Sequence, residues 1–359
     1  MPRDQVALVF SQQAGACARL GSPLYGALLE RVARDIKEEG PCAAVLEGYE
    51  DTGHADALPL RMMGAVHALV LTGRAPELAE HYPSAGGVFD PEHPDAGWPA
   101  FRAAVAAEPD WVRDWLERPP QTNEVGRASL LLAGLLYAVP TAALPVRLFE
   151  LGSSAGLNLR AEQFHYRTPS FSWGNPDSPV RLDPVWRGDP PGWLTEGARR
   201  HQTLRIVERR GCDITPLDPL SPDGALALRA YVWPDQADRT RRLEGALRIA
   251  AKVPATVGAA GAAQFLSGVE LEPGTLTVVW HSVMRQYVPD AEWAAVKREL
   301  DRLAAASGPE AGFAHIAFEP RTVGELHRFA LSVRLGREPE ECLAFAAPHG
   351  LPAWSPGQD

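Results

Sequence analysis

The chain has 359 residues, enough for two domains of ordinary size, and 45% hydrophobic against 22% charged residues provides for packed cores and excludes wholesale disorder. Forty-five acidic against 35 basic residues give a formal net charge of -10, a sign that repels phosphate backbones and sets nucleic acid aside as a primary partner. Cys17, Cys42, Cys212 and Cys342 lie far apart with no CxxC pair, so no disulfide framework or zinc site is expected. No HExxH, P-loop or EF-hand pattern suggests another metal.

No basic stretch followed by an apolar run opens the sequence. Its longest apolar run, over 128–144, is interrupted by Gly134 and Pro140 and reads as a buried helix rather than a membrane span. These features lead us to expect a cytoplasmic protein without a membrane partner, monomeric or, by the base rate for oligomers, a homodimer.

The first part of the chain reads as helices joined by Pro/Gly loops. Apolar residues fall on a helical period over 5–17, and Ser22-Pro23 opens a second helix with Leu24, Leu28, Leu29 and Val32 on one face. A third helix is predicted over 60–71, and 76–81 continues into the turn-rich segment 82–87. A fourth helical region, over 98–116, is broken at Pro109. After Pro145 the pattern changes. A short apolar strand over 146–151 runs into a glycine-rich turn, and 157–163 can start a helix. Residues 164–200 form an irregular insertion rich in Trp, Pro and Gly. Then come an extended piece over 213–217 ending at Asp218, a basic amphipathic helix over 234–252, strands over 255–257 and 275–280, a helix over 291–305, a strand over 313–318, and a closing pair over 327–335 and 342–347 around Gly336. Alternating strands and helices predict a Rossmann-like α/β domain over 128–359, with a mostly parallel sheet and helices on both faces. An all-helical domain over 1–127 precedes it.

Ligands of such sheets bind at the carboxyl ends of the strands. There the sequence places Glu150-Leu-Gly152-Ser153-Ser154-Ala-Gly156-Leu-Asn158. An acid ends a strand, small residues allow a tight turn and close approach to a ligand, and a helix follows. The dinucleotide spacing GxGxxG is absent. The same residues fit GxSxG, the nucleophile elbow of serine hydrolases, with Ser154 as nucleophile and Asp218 and His281 available downstream.

On the motif at 150–158 and the order of elements, residues 128–350 or so resemble class I S-adenosylmethionine-dependent methyltransferases, with Ser154 in place of the middle glycine. The resemblance implies S-adenosylmethionine as cofactor, held by Glu150, Gly152, Ser153, Ser154, Gly156 and Asn158, with Asp218 on the ribose hydroxyls. No acid stands near Ala259 and Ala260, where an adenine contact often falls. The whole chain also resembles an uncharacterised bacterial family, domain of unknown function 2332. The matching segments are Gly21-Ser-Pro-Leu-Tyr25, Tyr82-Pro-Ser-Ala-Gly-Gly87, Gln121-Thr-Asn-Glu-Val-Gly-Arg127, residues 150–158, Trp233-Pro-Asp-Gln236 and His281-Ser282.

His281 and Ser282 end the most apolar strand, where a histidine can serve as a base, so both are candidate catalytic residues. Asn123, Glu124 and Arg127 at the expected domain junction, with Tyr287, are candidate substrate residues; a capped helix start explains the first three equally well. The expected activity is methyl transfer to a small molecule bound between the two domains. A non-catalytic ligand-binding protein of the same fold and a serine hydrolase built on Ser154 remain as alternatives.

Overall fold

The computed structural model describes residues 3–49, 57–140, 144–323 and 326–358. Positions 141–143 of the long apolar run lie outside them. The chain forms two compact units, one of Met1–Thr122 with Ser221–Arg241, the other of Asn123–Leu220 with Arg242–Asp359. The first boundary falls five residues before the expected 127/128 division, and Ser221–Arg241, expected in the second domain, belongs to the first unit.

The first unit contains α1 (Arg3–Arg19), α2 (Pro23–Lys37), α3 (Pro41–Val45), α4 (Leu58–Leu71), α5 (Pro76–Ala79), α6 (Trp98–Ala107) and α7 (Pro109–Leu116), and no strand among the described residues. Ser22 caps α2 by accepting the Tyr25 amide at 3.3 Å, and proline follows at the first helical position. The returning segment forms the unpredicted helix α10 (Pro222–Ala230), for which α9 (Gly192–Arg200) is the preceding helix in the chain. Its Tyr231 and Trp233 enter the core of the first unit. Asp235 accepts both the Ser22 hydroxyl at 2.6 Å and the Leu24 amide at 3.0 Å. His67 of α4 is buried between Ser84 Oγ at 2.7 Å and the Ala230 carbonyl at 3.0 Å, and burial holds its imidazole down to about 4.

The second unit carries an eight-stranded sheet in the order β11-β10-β9-β8-β7-β1-β5-β6. Its strands are β1 (Val146–Leu151), β5 (Ile206–Asp213), β6 (Thr256–Ala259), β7 (Leu276–Ser282), β8 (Gly312–Val323), β9 (Leu326–Leu335), β10 (Glu341–Ala346) and β11 (Ala353–Trp354). The pairs β6–β5, β5–β1, β1–β7 and β7–β8 are parallel, and β9, β10 and β11 add antiparallel. Every residue of β1 is buried, as a central parallel strand covered on both faces requires. One face is covered by α12 (Ala262–Ser267) and α13 (Asp290–Ala306): Phe149, Leu151, Val279 and Phe313 pack there against Leu266, Val296, Leu300 and Leu303. Full burial of each such side chain contributes roughly 1.5–3 kcal/mol. Phe313 and Ile316 are an odd number of residues apart on β8 and point to opposite faces. Ile316 meets Gly134 of α8 (Ala128–Ala138), which therefore covers the other face. The remaining helix, α11 (Ala237–Ala250), begins within the returning segment and runs past its end at Arg241.

Two expectations are corrected. The strand expected over 213–217 runs instead over Ile206–Asp213, so it ends at Asp213. The irregular insertion contains a three-stranded sheet, β2 (His165–Thr168), β3 (Phe171–Trp173) and β4 (Arg181–Leu182) in the order β3-β2-β4, followed by α9. It joins the far edge of the large sheet through Trp186, which bridges Ala353, and α9 packs on α8, where a side chain at Gly197 would meet the Leu136 carbonyl at 2.5 Å.

The contact of α8 with the sheet is testable. A Cβ at Gly134 would lie 2.6 Å from Ile316 Cγ2. Gly134→Ala should therefore destabilise the protein, although alanine favours a helix by about 1 kcal/mol over glycine. In an Ile316→Ala background the same change should become neutral or stabilising. Chemical denaturation of the four proteins reads the cycle.

Candidate functional site

In chain order the sheet grows from β1 to β5 and β6 on one side, then to β7 and β8 on the other. The direction of growth reverses between β1 and β7. Doubly wound sheets take ligands beyond the carboxyl ends of the two strands at such a reversal.

Glu150, one residue before the end of β1, is 3% exposed. In register it lies beside Trp280, whose indole N–H donates to Oε1 at 3.0 Å. Oε2 is buried without a hydrogen-bond partner. Burial pushes this carboxyl up to about 8, offset in part by the Trp280 bond, Arg160 and Arg127, and reinforced by Asp213. Glu150 is thus a protonated acid at neutral pH.

The turn that follows is built on three left-handed residues, Gly152 (φ 65°), Ser154 (φ 53°) and Gly156 (φ 65°). Ser154 occupies a region that serine rarely adopts. It is held there because its amide donates to Asp213 Oδ2 at 2.8 Å, while its carbonyl accepts the Leu217 amide at 3.2 Å. Asp213 Oδ1 takes the Thr215 amide at 3.0 Å. Ser153 is fully buried; its hydroxyl donates to the Glu150 carbonyl at 2.8 Å and its amide to the Cys212 carbonyl at 2.9 Å. A Cβ at Gly156 would come within 2.7 Å of Val257 Cγ2, and one at Gly152 within 3.0 Å of Met284 Cβ. The small residues thus allow close packing of the chain on itself.

The segment 123–127 docks on this turn. Asn123 Oδ1 accepts the Leu157 amide at 2.7 Å, and Asn158 Nδ2 donates to the Glu124 carbonyl at 3.2 Å. Asn158 Oδ1 is a second buried acceptor without a partner. Glu124 accepts the Gly126 amide at 3.0 Å and pairs with His349 at 3.7 Å. Arg127 donates to the carbonyls of Pro348 at 3.2 Å and Ser282 at 3.5 Å. Arg160, on the turn of 3-10 helix at Leu157–Gln163, donates to the Gly156 carbonyl at 2.8 Å and the Val253 carbonyl at 2.6 Å. Burial, reinforced by Arg209, pushes its guanidinium down to about 10.

His281, one residue before the end of β7, lies on the other face of the sheet and is 1% exposed. Its Nδ1 lies 2.7 Å from Glu319 Oε1, and its Nε2 lies 3.0 Å from Nε2 of His315. Glu319 Oε1 also accepts the amides of Met284 and Arg285 at 3.0 and 3.3 Å, so Nδ1 of His281 is the donor. Burial, with His281, Arg334 and Arg321 nearby, keeps the His315 imidazole well below its ordinary range. The Trp293 ring closes on His281 edge-on at 5.2 Å.

The structure therefore brings Glu150, Gly152, Ser153, Ser154, Gly156, Asn158, Asn123 and Glu124 together at the end of β1, and Arg127 bonds to Ser282 at the end of β7. Tyr287 stands 64% exposed on the loop after β7. Asp218 is exposed beyond the end of β5 and accepts the Leu220 amide of its own turn at 2.9 Å. The acid at that strand end is Asp213. His281 spends both ring nitrogens on Glu319 and His315, so Ser154, Asp218 and His281 do not form a hydrogen-bonded triad through its imidazole. Among the described residues no group of three or more His, Cys, Asp or Glu is placed to hold a metal ion, and no helix is long and apolar enough to cross a membrane. Sequence reasoning missed Asp213, Trp280 and His315.

The buried acid makes stability depend on pH. A carboxyl raised from 4.5 to about 8 on folding stays protonated in the folded chain while the unfolded chain ionises, so stability is lost as pH rises across that window. Glu150→Gln should remove a loss on the order of a few kcal/mol between pH 5 and 8. His67 acts oppositely, losing stability as pH falls from 6.5 to about 4, so the diagnostic is the difference between wild type and variant in denaturant unfolding.

The model of a family described as "Uncharacterized protein conserved in bacteria (DUF2332)" matches residues 7–354. No curated protein and no solved structure matches the chain.

Proposed function

Starting from a chain that belongs to this bacterial family, whose description names no reaction, we propose that its second unit is an S-adenosylmethionine-dependent methyltransferase acting on a small molecule. The observation that carries the reading is Glu150, a buried acid with one oxygen unpaired, standing at the strand end where the sheet reverses its order. A buried Oε2 without a partner, carrying the proton at neutral pH, is unfavourable until an acceptor or, with loss of that proton, a cation meets it. A positively charged ligand beside Oε2 draws the carboxyl toward its ionised form.

The residues fit such a ligand. Glu150 faces its cationic part, and Asn158 Oδ1 supplies a further acceptor. Asp213 holds one amide on each oxygen and keeps lone pairs for ribose hydroxyls, the role the resemblance implied for Asp218. No acid stands at the end of β6, so Ala259 and Ala260 offer backbone there. When bound, the group supplies a methyl on a sulfonium, ready for transfer to a nucleophile held in line. Asn123, Glu124 and Arg127 brace the turn, and Tyr287 is free to meet an acceptor molecule. His281 and Ser282 act by position: His281 locks the end of β7, and the Ser282 carbonyl orients Arg127.

A second reading, a ligand-binding protein without turnover, is favoured by one observation. His281 is sealed from solvent with both ring nitrogens engaged, so it is not ready to take a proton from an acceptor. Turnover separates the two readings; binding does not.

Thermal unfolding with S-adenosylmethionine, S-adenosylhomocysteine and NAD tests the binding. A ligand at about 100 times its dissociation constant adds roughly 2.7 kcal/mol, a shift on the order of 5–10 °C. The two sulfur ligands should raise the midpoint and NAD should not, and Glu150→Gln should shrink the shift with S-adenosylmethionine most. No shift with either sulfur ligand contradicts the cofactor assignment.

A further inference from the structure

We infer that residues 283–287 form a gate over Gly152, latched shut by Glu319. The side chain of Met284 sits on Gly152, two residues beyond Glu150: a Cβ there would lie 3.0 Å from Met284 Cβ and 3.4 Å from Cγ. A ligand approaching the main chain of Gly152 from that side must first displace Met284.

Two features make the segment a switchable element. Val283 has φ 51°, in the left-handed region that β-branched residues rarely adopt, so the closed backbone is strained at its first residue. Against that strain a single carboxylate oxygen, Glu319 Oε1, gathers the amides of Met284 and Arg285 and the Nδ1–H of His281. Charge-assisted bonds of this kind are stronger than neutral ones. The latch comes from the neighbouring strand β8, so releasing it frees the segment without breaking β7. The far end is tied by Arg285, which donates to the Val288 carbonyl at 2.9 Å and Asp290 Oδ1 at 2.5 Å and lies over the Trp293 ring at 5.3 Å. Movement is thereby confined to the few residues between the strained valine and that anchor. His281 and His315 support the latch from behind through their 3.0 Å contact.

The gate rests on ligand entry at the end of β1, but it is tested without any ligand, so the two readings fail separately. Amide hydrogen exchange is compared in wild type and Glu319→Gln, together with peroxide oxidation of the methionines. Met62 and Met63, fully buried in the first unit, and the amides of Val278–Trp280 in β7 serve as controls. The expected result is faster exchange at Met284 and Arg285, by about tenfold as loss of one charge-assisted bond implies, with faster oxidation of Met284 and unchanged controls. Unchanged exchange and oxidation at 284 and 285 overturn the gate. So does an increase that extends to β7 or to Met62 and Met63, because Glu319 then holds the fold rather than a latch.

Discussion

A carboxylic acid buried at the end of the central strand is the constraint around which the second unit is organised. Glu150 has a protein partner on one oxygen only, the indole of Trp280. Taking an ionised carboxylate out of water is costly, so the group stays protonated and waits for a partner. Its surroundings balance this state: Arg160 and Arg127 draw toward ionisation, Asp213 opposes it, and burial outweighs them all. Its position beside the switch in strand order gives it a functional meaning.

The remainder of the site is a scaffold for that end of the strand. Asp213 holds Ser154 in a left-handed turn, Asn123 and Asn158 lock the segment before α8 to the turn after β1, and Glu319 holds the loop after β7. Each of these joins residues distant in sequence through a side chain accepting a backbone amide, or donating to a carbonyl. Such bonds place the main chain accurately while leaving few amides of the turn unsatisfied. The Gly-rich turn is consequently preformed and closely packed.

Much of the architecture was legible because it rests on local signals. The run Val146–Leu151 and the Ser22-Pro23 helix start were marked by an apolar strand before glycine and by capping chemistry. The strand β5 was not, because Glu208, Arg209 and Arg210 break its apolar pattern; Arg209 pairs with the buried Glu162 and Arg210 lies over the Phe149 ring at 5.8 Å. With the strand misplaced, Asp218 was set at a strand end that Asp213 occupies. The partners of His281 stand 34 and 38 residues away on β8, and nothing in a single sequence signals that register. The same holds for Ser221–Arg241, whose place in the first unit depends on Tyr231, Trp233 and Asp235 meeting α2 and α4. The strands of the insertion are only two to four residues long, too short for a periodic signal.

The protonation of Glu150 is the claim on which both the chemistry and the choice of a cationic ligand depend. Carbon-13 labelling of glutamate side chains, with Glu150→Gln to assign the resonance, gives the titration of this one carboxyl directly. A midpoint near pH 8 in the free protein, falling when S-adenosylmethionine is added, is the result predicted. A midpoint in the ordinary carboxylate range, unmoved by ligand, would contradict it, because burial would then not hold the acid protonated and no cation would meet its carboxyl.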